Sequence, residues 1–409
     1  MLLEFSVENF LSFKDRTTFS MVASNDKNKP DNLIKLDGIN LLKSAVVYGA
    51  NASGKTNLTL ALNFVNDLVI NSHRNQIGEE IRGLVPFKLD ESYLNKQSSF
   101  EIIFIKNRKK YIYGFSIDKK KVYHEYLYYY PEKRLAKIFE RTNTNEYNFK
   151  KEKREQNQLC KRTLENCLYL STSANWNFQK TRTAFEWFVE QFRSNSSYNG
   201  KYYTANLFND NKLLVKPIKE FILQADVGIL DLNIIIKDIS EGQVPKDIPY
   251  EIRKILLEQG GKTTEVSTVH LGKDIDGNEK RIKFDMEEES EGTKKMFRLA
   301  GPFADVLENG RLLILDEMDT KLHPLLIEYL IGIFHDPSKN KKGSQIILTT
   351  HDTHLLRENI FRRDQIWFTS KRKDQSTDLY SLYEYKARNN EDIEKRYLSG
   401  RYGAIPLIF

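Results

Sequence analysis

Gly49-Ala50-Asn51-Ala52-Ser53-Gly54-Lys55-Thr56 joins the apolar run Ala45-Val46-Val47-Tyr48 to a helix-like segment from Asn57 to Ile70. A glycine-rich turn between a buried strand and a helix is a phosphate cradle. Its glycines let backbone N–H groups point inward, and the helix N-terminus adds its positive dipole end. In such a loop Lys55 reaches the outer phosphates and the Thr56 hydroxyl holds a magnesium ion. Gly49, Asn51, Ser53, Gly54, Lys55, Thr56 and Asn57 are therefore the candidate contacts to a nucleoside triphosphate, read as ATP with Mg²⁺. A strand, this loop and a helix in succession predict an α/β fold around a parallel sheet.

A hydrolase of this kind also needs acids. Leu312-Leu313-Ile314-Leu315-Asp316-Glu317 delivers two of them at the end of a short apolar strand. Open parallel sheets bind ligands beyond the carboxyl ends of their strands, so Asp316 is expected beside the magnesium ion held by Thr56. Glu317 is then placed to polarise a water as general base. A second strand, Gln345-Ile346-Ile347-Leu348-Thr349-Thr350, runs into His351-Asp352, and a helix is expected from Pro324 to Phe334. Glu289-Ser290-Glu291-Gly292-Thr293 opens a further helix-like run, Met296 to Leu307. Ser290 followed by Thr293 suits an ordinary N-cap, and the same residues can offer hydroxyl and backbone donors to an anion.

In this order the motifs resemble those of ABC-type ATPases of the RloA-like family, often described as an AAA ATPase domain. That group includes AbiLi-like and AriA-like antiphage ATPases and is related to RecF, SbcC, SMC and OLD heads. The likeness spans nearly the whole chain. It begins with Leu2-Leu3-Glu4-Phe5-Ser6-Val7-Glu8-Asn9-Phe10-Leu11-Ser12-Phe13, read as one strand, and passes through the loop at Gly49, Ala225-Asp226-Val227-Gly228-Ile229 and Ser290-Glu291-Gly292-Thr293. It ends with Arg363-Asp364-Gln365-Ile366-Trp367-Phe368 and Tyr397-Leu398-Ser399-Gly400-Arg401-Tyr402-Gly403-Ala404-Ile405-Pro406.

The resemblance implies an ABC-type P-loop ATPase head: a mixed sheet with helices, an antiparallel β subdomain and a helical insertion. It implies that Ser290, Gly292 and Thr293 form a signature that touches the nucleotide of an opposite subunit. Asp319 becomes a D-loop residue at that contact, and His351 the switch residue on the γ-phosphate. The catalytic set under this reading is Glu317, His351 and Lys55, with Thr56 and Asp316 as metal ligands. The signature departs from the general pattern in lacking the double glycine and Gln. No Q-loop residue is assigned, since neither Gln76 nor Gln97 sits at a clear strand end.

The implied assembly is a homodimer or higher homo-oligomer with ATP sandwiched between heads, acting as the sensor or regulator of an antiphage defence system. The implied effector is a Toprim-type nuclease, and the short stretch after His351 leads us to expect it on a separate polypeptide. The alternative is a RecF- or SbcC-like ATPase that takes DNA as its partner in repair.

Composition agrees with a cytoplasmic protein that needs no membrane. The 409 residues carry 63 basic and 56 acidic side chains, a mild net charge of +7. Cys160 and Cys167 are too few for a zinc site and suit a reducing compartment. No apolar run approaches the length of a membrane span, and the N-terminus lacks the form of a signal peptide.

The nucleotide motifs fall at the two ends of the chain, so residues 1–130 and 285–409 are expected to build one head. Residues 131–284 are then an inserted, mostly helical lobe, with helices near Thr183 to Phe192 and Leu213 to Leu223 and loops at 195–200 and 240–242. It shows neither heptads nor a Cys-x-x-Cys hook, which argues against a long coiled-coil arm. Phe100 to Ile105, Tyr111 to Phe115 and Val122 to Tyr128 read as antiparallel strands. Basic clusters at Lys106 to Lys110, Lys119 to Lys121, Lys150 to Arg154 and Lys371 to Lys373 are either solvated turns or contacts to nucleic-acid phosphates.

Overall fold

Between Ser98 and Phe104 every second residue is buried, and this period of two continues through the aromatic run that follows. In the computed structural model these residues are strands of an antiparallel sheet. The structure describes all residues except 37, 195–199, 226–227, 239–261, 358–359, 386–391 and 407–409; the expected loops at 195–199 and 240–242 therefore lie outside the described residues.

The strands of the first part are β1 (Leu2–Glu8), β2 (Thr17–Ser20), β3 (Leu33–Leu36), β4 (Ile39–Leu42), β5 (Ser44–Gly49), β6 (Ser98–Lys106), β7 (Lys109–Ile117), β8 (Val122–Tyr129), β9 (Ala136–Thr142) and β10 (Glu146–Phe149). The later ones are β11 (Phe192–Ser194), β12 (Ile229–Asp238), β13 (Lys262–Lys273), β14 (Glu279–Asp285), β15 (Leu312–Leu315), β16 (Gln345–Thr349), β17 (Ile366–Lys371) and β18 (Thr377–Ser381). The antiparallel sheet has the order β10-β9-β8-β7-β6-β1-β2. The N-terminal strand is shorter than expected. It stops at Glu8, and Phe10 and Phe13 close a turn in which Leu11 takes a φ of 52°.

The second sheet has the order β11-β15-β16-β5-β17-β18, parallel from β11 to β17 with β18 antiparallel at the edge. Its strands β15, β16 and β5 are buried along their whole length, as parallel strands covered on both faces must be. Helix α1 (Lys55–Asn71) leaves the end of β5. Its buried residues Leu58, Ala61, Leu62, Val65, Leu68 and Val69 join one core with β1, β5 and the antiparallel strands. The α/β class and the mixed architecture are as expected.

The other helices are α2 (Glu91–Leu94), α3 (Lys153–Cys160), α4 (Tyr169–Asn175), α5 (Gln179–Gln191), α6 (Gly200–Asp210), α7 (Lys212–Ala225), α8 (Glu291–Asn309), α9 (Pro324–His335) and α10 (Ile393–Leu398). The chain forms two compact units, one of Met1–Ser197, Asn309–Thr320 and Ile327–Phe409, the other of Tyr198–Glu308 and Lys321–Leu326. These are not the boundaries expected at 130 and 284. Residues up to 197 stay with the loop-bearing unit because the meander continues through β9 and β10 and because α4 is tied to it. The fully buried Glu125 accepts from Tyr113 Oη at 3.0 Å and from the N–H groups of Tyr169 and Leu170 at 2.6 and 2.9 Å. Fully buried Arg141 donates to Cys167 O at 2.7 Å and faces Glu125 at 3.8 Å.

Among the described residues the second unit combines α6, α7 and α8 with the antiparallel sheet β12-β13-β14. Pro302 lies inside α8 and cannot donate to the carbonyl of Arg298. Thr204 of α6 inserts at this weak point, where its hydroxyl accepts from Gly301 N–H at 3.1 Å and donates to Phe297 O at 3.0 Å. The hydroxyl thus replaces one rung of the helix ladder. Gly301 allows the approach, since a Cβ there would stand 2.6 Å from Thr204 Cα.

Candidate nucleotide site

β15, β16 and β5 are neighbours and parallel, so their C-terminal ends open on the same edge of the sheet. From them come, respectively, Asp316 and Glu317, then Thr350 and His351, then the Gly49 to Thr56 loop. Residues nearly 300 positions apart are brought together by strand order alone.

The loop is built for close approach. Gly54, the residue before α1, has φ 116°, and a Cβ on it would collide with Thr377 Oγ1; one on Gly49 would collide with Thr369 Oγ1 and Ser53 Oγ. Hydroxyl groups from β17 and β18 brace the loop from beneath. Ser53 Oγ and Thr369 Oγ1 are 2.6 Å apart, Thr369 Oγ1 donates to Tyr48 O at 3.2 Å, and Thr377 Oγ1 reaches Ser53 O at 2.8 Å. Lys55 is buried and donates to Gly49 O at 2.7 Å and Ala50 O at 3.0 Å. Desolvation lowers its pKa, and the negative charges of Asp316, Asp319 and Glu317 act against that shift. Thr56 and Asn51 are exposed, and Asn57 donates to Ser12 Oγ at 2.6 Å.

The acid pair is oriented by a residue that sequence reasoning did not single out. Thr349 is fully buried; its hydroxyl donates to Asp316 Oδ1 at 2.6 Å and accepts from Glu317 N–H at 2.9 Å. Glu317 itself is exposed and takes a φ of 50°, a left-handed conformation that costs a non-glycine residue of order 1 kcal/mol. Asp319 Oδ2 accepts the backbone N–H of His351 at 3.1 Å, while its Oδ1 is buried with no hydrogen-bond partner among the described residues. Asp319 thus fixes the segment that carries His351 within the same chain. The polar end of an otherwise apolar strand was the signal for Thr349; Ser12, Thr369 and Thr377 carry no comparable local mark.

Ser290, Gly292 and Thr293 belong to the second unit. Ser290 is exposed and caps α8: its Oγ accepts from Thr293 N–H at 3.1 Å and lies 2.9 Å from Thr293 Oγ1. Thr293 is buried, so its hydroxyl serves that cap from inside.

Oxygen donors at Thr56 and Asp316 beside a buried lysine fit a hard divalent cation and a polyphosphate. When bound, magnesium would neutralise phosphate charge at that point. Among the described residues no group of three or more His, Cys, Asp or Glu forms a metal site of its own. Cys160 and Cys167 are free thiols, and burial pushes the Cys167 thiol up to about 11. No described helix is long and apolar enough to cross a membrane. A large cleft of about 1310 Å³ lies between the turn at Phe10 and Leu11, the later part of α1 and the segment that follows it to Gly83, but none of the site residues lines it.

Residues 44–357, from β5 past His351, match the family model described as "AAA domain, putative AbiEii toxin, Type IV TA system". The chain belongs to this AAA-domain family. It is an ATPase, and the matched span contains the loop, the acid pair and the histidine. Among solved structures this AAA-domain ATPase is similar to the SMC head domain from Thermotoga maritima, at 12% identity over 93% of this chain and 98% of that one, with a TM-score of 0.42. An SMC head bound to the C-terminal winged-helix domain of ScpA matches at 14% identity, 94% and 99% coverage and a TM-score of 0.40. The recombination mediator RecF with ATP matches at 14% identity, 93% and 99% coverage and a TM-score of 0.39. No curated protein matches the chain.

Proposed function

We propose that this ATPase is a nucleotide-driven switch, the sensor or regulator of an antiphage defence system that governs a separate effector nuclease. One observation carries the switch reading: Lys55, Thr56, Asp316, Glu317 and His351 meet at the ends of adjacent strands, whereas the exposed Ser290 at the start of α8 belongs to the other compact unit. Two copies then close head to tail, the P-loop of one facing the Ser290 to Thr293 segment of the other. Lys55 holds the outer phosphates, Glu317 takes a proton from the attacking water, and His351 holds the γ-phosphate. Loss of that phosphate removes a charge both copies share and releases them, a shift driven by differential binding.

The defence assignment draws support from the words "putative AbiEii toxin, Type IV TA system" in the family's description. The switch is tested with Glu317→Gln and saturating Mg-ATP in analytical ultracentrifugation: a nucleotide-dependent dimer is expected, and a monomer that has bound ATP would remove the mechanism. The biological role is tested by phage plating. Cells carrying the intact system should lose protection when Lys55 is replaced by Ala, and unchanged plaque counts would remove the defence reading.

A further inference from the structure

The residue directly before Ser290 is an acid. Ser290 is exposed and caps α8, so a Glu289 side chain turned outward would stand beside any anion brought to that cap and repel it. The start of a helix also attracts carboxylates, which makes Glu289 a competitor for the same donors.

The fold turns Glu289 inward. Its side chain is only 9% exposed, and Oε1 accepts from the Thr268 hydroxyl and from His270 Nε2, the latter at 2.6 Å. A carboxylate taken out of water needs such donors. Thr268 and His270 are two positions apart on β13 and therefore share a face. β13 is the middle strand of β12-β13-β14, with Thr268 opposite Leu232 and Phe284 and His270 opposite Ile229 and Ile282. Thr268 is fully buried, and the Phe284 ring lies against the imidazole with centroids 4.8 Å apart. Both donors are thus fixed by strands on either side. Glu291, the acid that follows Ser290, is engaged by Lys321 Nζ at 2.8 Å and Lys294 Nζ at 3.3 Å. Each carboxylate flanking Ser290 has a partner of its own.

We infer that His270 is a positioning residue for the Ser290 to Thr293 segment. Together with Thr268 it draws the Glu289 carboxylate down to the sheet, so that the γ-phosphate carried by a second copy meets donors and not a negative charge. The inference rests on the reading of this segment as a half-site completed across a dimer. What His270 controls is the placement of one charge, and this separates it from a contact that merely fastens α8 to β13.

Sedimentation of the full chain with Mg²⁺ and the non-hydrolysable analogue AMP-PNP tests it. His270→Ala should weaken the nucleotide-dependent dimer by about ten-fold, and adding Glu289→Gln should restore it to within about two-fold of the wild type, because a released amide carries no charge to repel phosphate. His270→Gln keeps a donor for the carboxylate and should dimerise as the wild type does. A purely structural anchor predicts the opposite of the rescue, since the double variant keeps no contact that His270→Ala has lost. A double variant as weak as His270→Ala therefore overturns the inference. So does a His270→Ala chain that dimerises normally while Ser290→Glu, which puts a carboxylate into the segment itself, stays monomeric. If Ser290→Glu also dimerises normally, or the wild type never dimerises with nucleotide, the half-site reading falls and the inference with it. Should His270→Ala fail to fold, the isosteric Thr268→Val, with and without Glu289→Gln, supplies the same comparison.

Discussion

Glu317, in its left-handed conformation, donates its N–H to the buried hydroxyl of Thr349, which also donates to Asp316. If Glu317 is the general base, Glu317→Gln should keep ATP binding and slow single-turnover hydrolysis by about 10²–10⁴-fold. Turnover at the wild-type rate would transfer the role elsewhere. Thr349→Val keeps the shape but removes both contacts, so kcat should fall with little change in ATP affinity. A second residue effect belongs to stability. His335 is half-buried beside Lys43, with its Nε2 2.7 Å from Ser44 Oγ, and desolvation of its ring drives its pKa from the ordinary 6.5 down to about 3. The unfolded chain takes up a proton near pH 6.5 that the folded chain refuses until about pH 3. Stability from this group is therefore complete above pH 6.5 and declines as the pH falls, by up to ~1.4 kcal/mol per unit. Urea unfolding at pH 7.5 and pH 5 should show a smaller loss for His335→Gln than for the wild type.

At the scale of elements, two motifs at the end of the chain acquire physical meaning. Arg362, one residue before the Arg363 to Phe368 run, is buried and grips Asp364 through two bonds of 2.9 and 2.8 Å, and Asp364 in turn accepts from Ser24 N–H and Oγ. Gln365 donates to Ser44 O at 3.0 Å and accepts from Asn32 at 2.7 Å. This motif locks the loop ahead of β3 to the strand that carries the P-loop. The Tyr397 to Pro406 run lies over β17: Phe368 stacks on Tyr397 and Tyr402, with centroids 5.4 and 5.7 Å apart, and Tyr380 Oη donates to Tyr402 O at 2.7 Å. In the second unit the rung that Thr204 supplies to α8 has a measurable worth. Thr204→Val should cost ~1–3 kcal/mol in urea unfolding, because Gly301 N–H and Phe297 O would be left buried and unpaired. A loss under a few tenths would mean that α8 closes its ladder without help.

For the whole molecule, the consequence of the proposed function is an assembly that depends on nucleotide. Sizing by light scattering should give a larger particle with Mg-ATP for Glu317→Gln than for Lys55→Ala, with no difference when nucleotide is withheld. The basic clusters bear on the DNA alternative. Lys106 to Lys110 spans the β6–β7 hairpin end and Lys119 to Lys121 the turn after β7, and Lys106 is paired with Glu190. Lys110 and Lys121 lie over the rings of Tyr130 and Tyr123, so DNA affinity without nucleotide should be weak and steeply salt-dependent.

The P-loop, the acid pair and the period-two strands could be recognised in the sequence because each is a local pattern whose chemistry is complete within a few residues. Strand order is not local. That β5 lies between β16 and β17 is decided by which buried faces pack together, and only this order places Thr349 under the acids, Thr369 and Thr377 under the loop, and Asp319 on the backbone of His351. The compact units differ from the expected boundary at 130 for the same reason: the buried Glu125 and Arg141 bind the next elements to the sheet. Sequence alone determined what chemistry the chain carries, since side-chain type sets that. Only the tertiary structure decided which distant hydroxyls and carboxylates hold it in place, because contacts across hundreds of residues are chosen by packing.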